Sequence, residues 1–331
     1  MNAPIPRPRL GFLGVGWIGR SRLAAIAATG RIDIVAIADP SPENRAEALL
    51  LAPGAATVED LDALLAHELD GIVIATPSAF HAAQSIEALE RGVAVFCQKP
   101  LGRNGGEARA VVAAARAADR LLGVDFSYRL TDGMVRIRDL LTAQALGPVH
   151  AIDLTFHNAY GPDKPWFYDP ALSGGGCVMD LGVHLVDLAL WALDFPAVTT
   201  VSSHLFAAGR PLVDRATQVE DFAIVTLGLE TGAVVRLACS WRLHAGCDAV
   251  IAADFYGRDG GASLRNVAGS FYDFVAEQYR GTTRAVLANP PDDWGGRAAA
   301  DWARRLADGA GFDTAAERLV DVAAVLDRIY A

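Results

Sequence analysis

The stretch RLGFLGVGWIGRSRLAAIAATG, residues 9–30, decides the fold. A short apolar run enters Gly14, Gly16 and Gly19 in G-x-G-x-x-G spacing, and a segment of helical period follows as far as Gly30. The spacing alone is a weak signal. Its setting makes it strong: a strand precedes it, a helix follows it, and an acid, Asp39, ends the next apolar run, DIVAIAD. Gly14 permits a tight turn, Gly16 admits a pyrophosphate to the backbone, and Gly19 lets helix pack close to strand. The helix start supplies N–H donors and partial positive charge. Gly14, Gly16, Trp17, Ile18 and Gly19 are therefore the candidate cradle of a dinucleotide. Asp39 is expected to accept from the adenosine ribose hydroxyls and to repel a 2′-phosphate, favouring NAD over NADP. Ser41 and Arg45 keep NADP open, because a hydroxyl and a guanidinium lie near that position.

Outward from this stretch, strand-like and helix-like segments alternate. GIVIATP, VAVFCQKP and LLGVDFSY are apolar on both faces and are separated by helical periods, the pattern of a doubly wound parallel sheet. Residues 1–125 are assigned to this Rossmann-type domain. Ligands gather at the carboxyl ends of such strands, which marks Thr76, Pro77, Ser78 and His81 in ATPSAFH, and Gln98 and Lys99 in CQKP. His81 read alone is more plausibly a hydrogen-bonded helix-start residue than a catalyst. A lysine at the mouth of an apolar strand is either a surface exit or a ligand-facing ammonium.

Beyond residue 125 the pattern changes. TDGMVRIRDLLTAQAL reads as a helix, and VHAIDLTFHN, AVTTVSSHLF, VEDFAIVTLGLE, AVVRLACSWRL and DAVIAADFYG read as strands without long helices between most of them. Residues 126–331 are expected to form an α+β domain on an open, mainly antiparallel sheet. DWARRLADG and AAERLVDVAAVLDRIY close the chain as helices.

The chain has 331 residues, enough for two domains, and is 52% hydrophobic. Its formal net charge of -10, with no Lys/Arg run, argues against a nucleic-acid partner. The four cysteines form neither a C-x-x-C pair nor a disulfide framework. MNAPIPRPRL lacks the apolar core of a signal peptide, and charge or glycine interrupts the apolar runs, so a cytoplasmic protein without membrane spans is expected.

The second informative stretch is GGGCVMDLGVH, Gly174–His184, followed by Asp187. Asp180 and His184 stand four apart and share a helix face, with Asp187 extending it. The three glycines are expected to bring the chain close to a ligand. Three readings compete: an orienting pair serving packing, a metal site with Cys177, and proton transfer. No second His/Cys cluster completes a metal shell. Histidine suits removal of a hydroxyl proton, and proton transfer is the reading adopted. Tyr128, Arg129, His157, Trp166 and Tyr168 are further candidate substrate contacts, the last three in the stretch HNAYGPDKPWFYDPALSGGG.

Taken in order, GVGWIG, Asp39, ATPSAFH, QKP and GGGCVMDLGVHLVD resemble the glucose–fructose oxidoreductase, inositol dehydrogenase and rhizopine catabolism family, Gfo/Idh/MocA, over nearly the whole chain. The resemblance implies a Rossmann domain joined to a domain with an open sheet. It also implies oxidation or reduction of a sugar, cyclitol or related polyol with NAD or NADP, and a homo-oligomer, dimer or tetramer. The family's E-K-P motif falls on Gln98-Lys99-Pro100, and its D-x-G-x-H motif on Asp180 to His184. By that resemblance Lys99, Asp180 and His184 form the catalytic group. Lys99 would stabilise the reacting oxygen and His184 would exchange its proton. Gln98 departs from the family glutamate, keeping the shape and losing the charge. Two other classes stand beside this one: a regulator that senses NAD without turnover, and a metal-dependent hydrolase or isomerase.

Overall fold

The apolar run RLGFL forms strand β1 (Arg9–Leu13), buried from its second residue onward. The computed structural model describes residues 7–331. After β1 come helix α1 (Trp17–Ala28), β2 (Asp33–Ala38), α2 (Pro42–Leu51), β3 (Ala56–Val58), α3 (Leu61–Leu65), β4 (Gly71–Ile74), α4 (Ser78–Glu90), β5 (Ala94–Cys97), α5 (Gly105–Ala118) and β6 (Leu122–Val124). The six strands pair in parallel in the order β3-β2-β1-β4-β5-β6. Strand order reverses between β1 and β4, so ligands are expected at the carboxyl ends of these two strands. The doubly wound sheet expected from the sequence is present. β3 and α3 escaped the sequence reading because three-residue and five-residue elements carry too little periodicity.

The second sheet begins after α6 (Asp132–Thr142) with β7 (Val149–Asn158). Next come α7 (Pro170–Ser173), a π-type turn over Val178–Gly182, and α8 (Val183–Ala192). The remaining strands are β8 (Val198–Ala207), β9 (Arg210–Pro211), β10 (Phe222–Leu229), β11 (Val234–Ser240), β12 (Ala249–Gly257), β13 (Gly261–Asn266), β14 (Phe274–Arg280) and β15 (Thr283–Ala288). Nine strands run β15-β14-β13-β12-β7-β11-β10-β8-β9. Every pairing is antiparallel except β7 with β11. On β10 the residues alternate strictly, with Ala223, Val225, Leu227 and Leu229 buried, the signature of a sheet covered on one face. β9, β13, β14 and β15 lay outside the sequence reading. β15 offers four exposed residues in succession, so no apolar alternation announces it.

Two compact units result. The first takes the chain through Gly102, then Gly106–Asp125 and Gly295–Val320. The second comprises Arg103–Gly105, Phe126–Trp294 and Asp321–Ala331. Gly295–Val320, assigned by sequence to the second domain, thus belongs with the first. The reason is α9 (Arg297–Ala307), whose Trp302 joins the apolar cluster of Leu10, Phe12, Leu23 and Phe96. Its ring lies 5.7 Å from that of Phe96. A β-carbon on Gly123 would stand 2.8 Å from Trp302 Cδ1, so the glycine in β6 makes room for the indole. The last helix, α10 (Arg318–Ile329), buries Val322, Val325, Leu326 and Ile329.

Contrary to the sequence expectation, the helical run Pro170–Ala192 is long and apolar enough to cross a membrane by length and composition. Its most apolar window is 89% buried inside the fold, the setting of a core helix.

Removing the Trp302 indole should leave a cavity in the first unit. Trp302→Ala is expected to cost roughly 3–5 kcal/mol of stability, read as a lowered thermal midpoint and loss of near-ultraviolet circular dichroism. An unchanged midpoint would show that α9 is dispensable to that core.

Candidate active site

In the first unit the glycine loop has the geometry its spacing predicts. Gly14 turns with φ of +86°, and a β-carbon there would stand 2.5 Å from the Ala75 carbonyl oxygen. A β-carbon on Gly19 would stand 2.3 Å from the Gly14 carbonyl oxygen. Gly16 is different: nothing lies within 4 Å of its β-carbon position. It precedes α1, whose first N–H groups receive no side-chain cap. An uncapped helix start opening onto free space fits a dinucleotide phosphate. Trp17 is 65% exposed beside it, and Ile18 is half-buried.

Asp39 also serves the loop itself. It is buried, and its carboxylate accepts from Val15 N–H at 2.7 Å, Ser41 N–H at 2.9 Å and Asn44 Nδ2 at 3.1 Å. The charge ties the glycine loop to the β2–α2 turn. Capping of α2 falls to Ser41, whose hydroxyl oxygen accepts from Asn44 N–H and whose O–H donates to Glu43. Arg45 donates to the Asp39 carbonyl oxygen at 2.5 Å.

At the end of β4, Thr76 donates its hydroxyl to Gln84 Oε1 at 2.6 Å. Pro77 leads into α4 and Ser78 is buried. His81 is buried between two carbonyls, with Nδ1 2.6 Å from the Pro100 oxygen and Nε2 2.7 Å from the Thr76 oxygen. Burial pulls its pKa down, and the two carbonyls raise it. His81 thus links the β4 end to the QKP turn, a structural role rather than a catalytic one. Lys99 is half-buried after β5 and is joined to buried Pro100 by a cis peptide. Gln98 is buried and donates from Nε2 to Asp125 Oδ2 at 2.6 Å.

In the second unit the expected helix start departs from regular geometry. Asp180 lies in the π-type turn, and His184 opens α8 one turn later. π-turns inside helices concentrate at functional sites. Asp180 Oδ2 accepts from Trp241 Nε1 at 3.0 Å. His184 is 8% exposed, and the ring of Tyr128 meets it edge-on at 4.9 Å. Phe126 and Phe156 lie 6.4 and 6.5 Å from the imidazole. The structure therefore brings Tyr128 to His184, and Trp241 to Asp180.

Other candidates are committed elsewhere. Arg129 grips buried Asp187 with its full fork, Nε to Oδ2 at 2.7 Å and Nη2 to Oδ1. Burial pushes the Asp187 carboxyl up, and the guanidinium pulls it back. Asp187 thus turns to Arg129 and does not extend the Asp180/His184 pair. His157 Nδ1 lies 2.7 Å from the Ser240 hydroxyl and its ring stacks on Phe222, with burial lowering its pKa. Trp166 stacks on Phe167 at 3.8 Å. Tyr168 lies 5.6 Å from Trp241 and donates to the Pro162 carbonyl. Cys177 Sγ faces Cys239 Sγ at 3.8 Å. Among the described residues no three of His, Cys, Asp and Glu gather as a metal site.

The glycines before Asp180 also act differently from expectation. β-Carbons on Gly175 and Gly176 would stand 2.0 Å from the Tyr330 hydroxyl and 1.8 Å from the Glu220 carbonyl oxygen. They permit close approach to the protein itself. Glu220 Oε1 accepts from Gly176 N–H and Val178 N–H at 2.9 Å each, and from the Tyr330 hydroxyl at 2.7 Å. This buried acid, pushed up by burial, caps the helix start from β10's approach. Sequence reasoning missed Glu220, Trp241 and Asp125. Each acts across 27 or more positions of the chain, and only polar residues beside apolar strands marked them.

The two cradle glycines should separate experimentally. Gly16→Ala is expected to fold with an unchanged thermal midpoint and to weaken NADH binding by about tenfold or more, the size of one lost buried hydrogen bond. Gly19→Val should lose roughly 1–3 kcal/mol of stability as well. Fluorescence titration with NADH and thermal melts read both, and wild-type affinity in Gly16→Ala would remove the cradle from the open side of Gly16.

Comparison with known proteins agrees with this geometry. Residues 9–126 match the model described as an oxidoreductase family with an NAD-binding Rossmann fold, and residues 134–263 match the GFO/IDH/MocA C-terminal domain. D-glucoside 3-dehydrogenase of Escherichia coli (strain K12) is 30% identical over 269 residues, covering 77% of this chain and 76% of that protein. A putative UDP-kanosamine synthase oxidoreductase subunit of Amycolatopsis mediterranei is 33% identical, with 78% and 75% covered. Among solved structures, GenD2 from gentamicin A biosynthesis, in complex with NAD, superposes with a TM-score of 0.82 at 25% identity, covering 99% of this chain and 95% of that one. Levoglucosan dehydrogenase in complex with NADH reaches 0.84 at 20% identity, with 98% and 96% covered, a likeness of fold. With both domain models matched in order and the glycine cradle in place, the chain belongs to the Gfo/Idh/MocA family of NAD(P)-dependent oxidoreductases.

Proposed function

We propose that the chain transfers a hydride between NAD(P) and a carbinol or carbonyl of a sugar, cyclitol or related polyol. The observation that carries this reading is the D-x-G-x-H pair of the second unit, Asp180 and His184, in a chain whose first unit holds an uncapped dinucleotide cradle and Lys99. Relatives named D-glucoside 3-dehydrogenase and inositol 2-dehydrogenase support the substrate class.

Bound NAD(P) supplies the hydride acceptor or donor. Oxidation of a carbinol requires that its hydroxyl proton leave as the carbon gives up hydride. His184 takes that proton and returns it in the reverse direction, the exchange an imidazole performs near neutral pH. Lys99 donates a hydrogen bond to the reacting oxygen and stabilises its developing negative charge. Asp180, steered by the Trp241 indole, binds a neighbouring substrate hydroxyl. Tyr128 walls one side of the imidazole and presents a ring suited to a carbohydrate face. NAD is favoured over NADP. The Asp39 charge lies at the end of β2, and the Ser41 hydroxyl and Arg45 guanidinium that would hold a 2′-phosphate are bonded to Glu43 and to the Asp39 carbonyl.

A screen of sugars and cyclitols with both cofactors, followed by nicotinamide absorbance, should identify the substrate and show higher kcat/KM with NAD. Lys99→Met and His184→Ala should each lower kcat by roughly 10²–10⁴ while NADH still binds. Near-normal turnover in both variants would sink the assignment of these two residues.

A further inference from the structure

Gln98 stands where the resembling motif carries a glutamate, and its surroundings show what the exchange accomplishes. Its Nε2 donates to Asp125 Oδ2 at 2.6 Å, and the same oxygen accepts from Arg22 Nε at 2.5 Å. All three side chains are buried, with Gln98 and Asp125 just past the carboxyl ends of β5 and β6 and Arg22 on α1. A carboxylate only accepts, so the amide must turn its NH2 toward Asp125 and its Oε1 the other way. Held like this, Gln98 presents on its other side an acceptor oxygen, as a carboxylate there would. A glutamate in its place would instead set two carboxylates within hydrogen-bonding distance, so that the pair holds on to one proton until the pH is raised.

We propose that Asp125, fixed by Arg22, is a positioning residue that locks the Gln98 amide with Oε1 directed at a hydroxyl of the bound ligand, so that the charge of this motif has moved from β5 to β6. The position past the strand ends is where the fold places its ligands. The inference rests on the chain being an NAD(P) oxidoreductase and identifies the hydroxyl as one of the dinucleotide.

The test is NADH affinity as a function of pH, in the absence of any sugar, for four variants of the full chain. Gln98→Leu removes the acceptor and should weaken NADH by about tenfold or more. Gln98→Glu should bind NADH within about threefold of wild type at the acidic end, where a single proton held between the introduced carboxylate and Asp125 imitates the amide donor. It should weaken by about tenfold as pH rises and that proton leaves, a pH dependence that wild type does not show. Asp125→Asn frees the amide to flip and should weaken NADH several-fold. The exchange Gln98→Glu with Asp125→Asn restores one amide and one carboxylate, and should recover affinity and a flat profile. Thermal midpoints confirm folding, and the exchange variant is read directly against wild type, so it stands even where a single variant fails to fold. Wild-type affinity in Gln98→Leu overturns the inference, as does an exchange variant that folds yet stays as weak as Gln98→Leu. Unaltered NADH binding with an altered KM for the polyol would reassign the hydroxyl to the substrate and overturn the dinucleotide assignment. Because no sugar is needed, failure of the polyol screen and failure of this inference are separate results.

Discussion

The first unit depends on one contact that only a missing side chain permits. The α-carbon of Gly19 lies so close to the Gly14 carbonyl that a β-carbon would stand 2.3 Å from that oxygen. This brings α1 down against the β1 turn and places its uncapped N–H groups at the reversal of strand order. Asp39 completes the arrangement by accepting from Val15 N–H inside the loop. A charge expected to face a ribose therefore also holds the loop that would carry the pyrophosphate. The turn is held because Gly14 N–H and Val15 N–H are satisfied by the Ala38 carbonyl and the Asp39 carboxylate.

The second unit solves a different problem, that of polar groups on a helix buried all round. Each needs a partner, since an unpaired buried polar group costs more than a hydrogen bond returns. Asp187 receives the Arg129 fork, Asp180 receives the Trp241 indole, and the helix start receives Glu220. The Arg129–Asp187 pair is deeply shielded on the acid's side, where breaking one partner strands a charge. His184 is set among aromatic rings in this frame. Fold class alone would leave the chemistry open, because such sheets host many reactions. The proton exchange proposed above rests on the side chains of the π-type turn and α8.

Much of this was legible in order of sequence. The parallel sheet, the glycine cradle, Lys99 after β5 and the Asp180/His184 spacing all follow from local patterns: apolar runs of fixed period, and residue types demanded by a turn or a proton. The same local logic does not reveal partners that are far away. Arg129 and His157 were taken for ligand contacts, yet their partners are Asp187 and Ser240, at separations of 58 and 83 residues. The Gly174–Gly176 run was read as clearance for a ligand, and the space it leaves is filled by Tyr330 and Glu220.

By itself, then, the sequence determined the class of each domain and the cofactor cradle, because periodicity and turn chemistry act within a few positions. Tertiary structure alone decided that α9 completes the first core. It decided too that GGGCVMDLGVH contains a π-type turn whose start is capped by a distant acid, and that Gln98 of QKP turns its amide to Asp125. The physical reason is the same in each case. A buried polar group or an open apolar face must be matched by whatever the folded chain brings to it, and that partner's address is not written beside it.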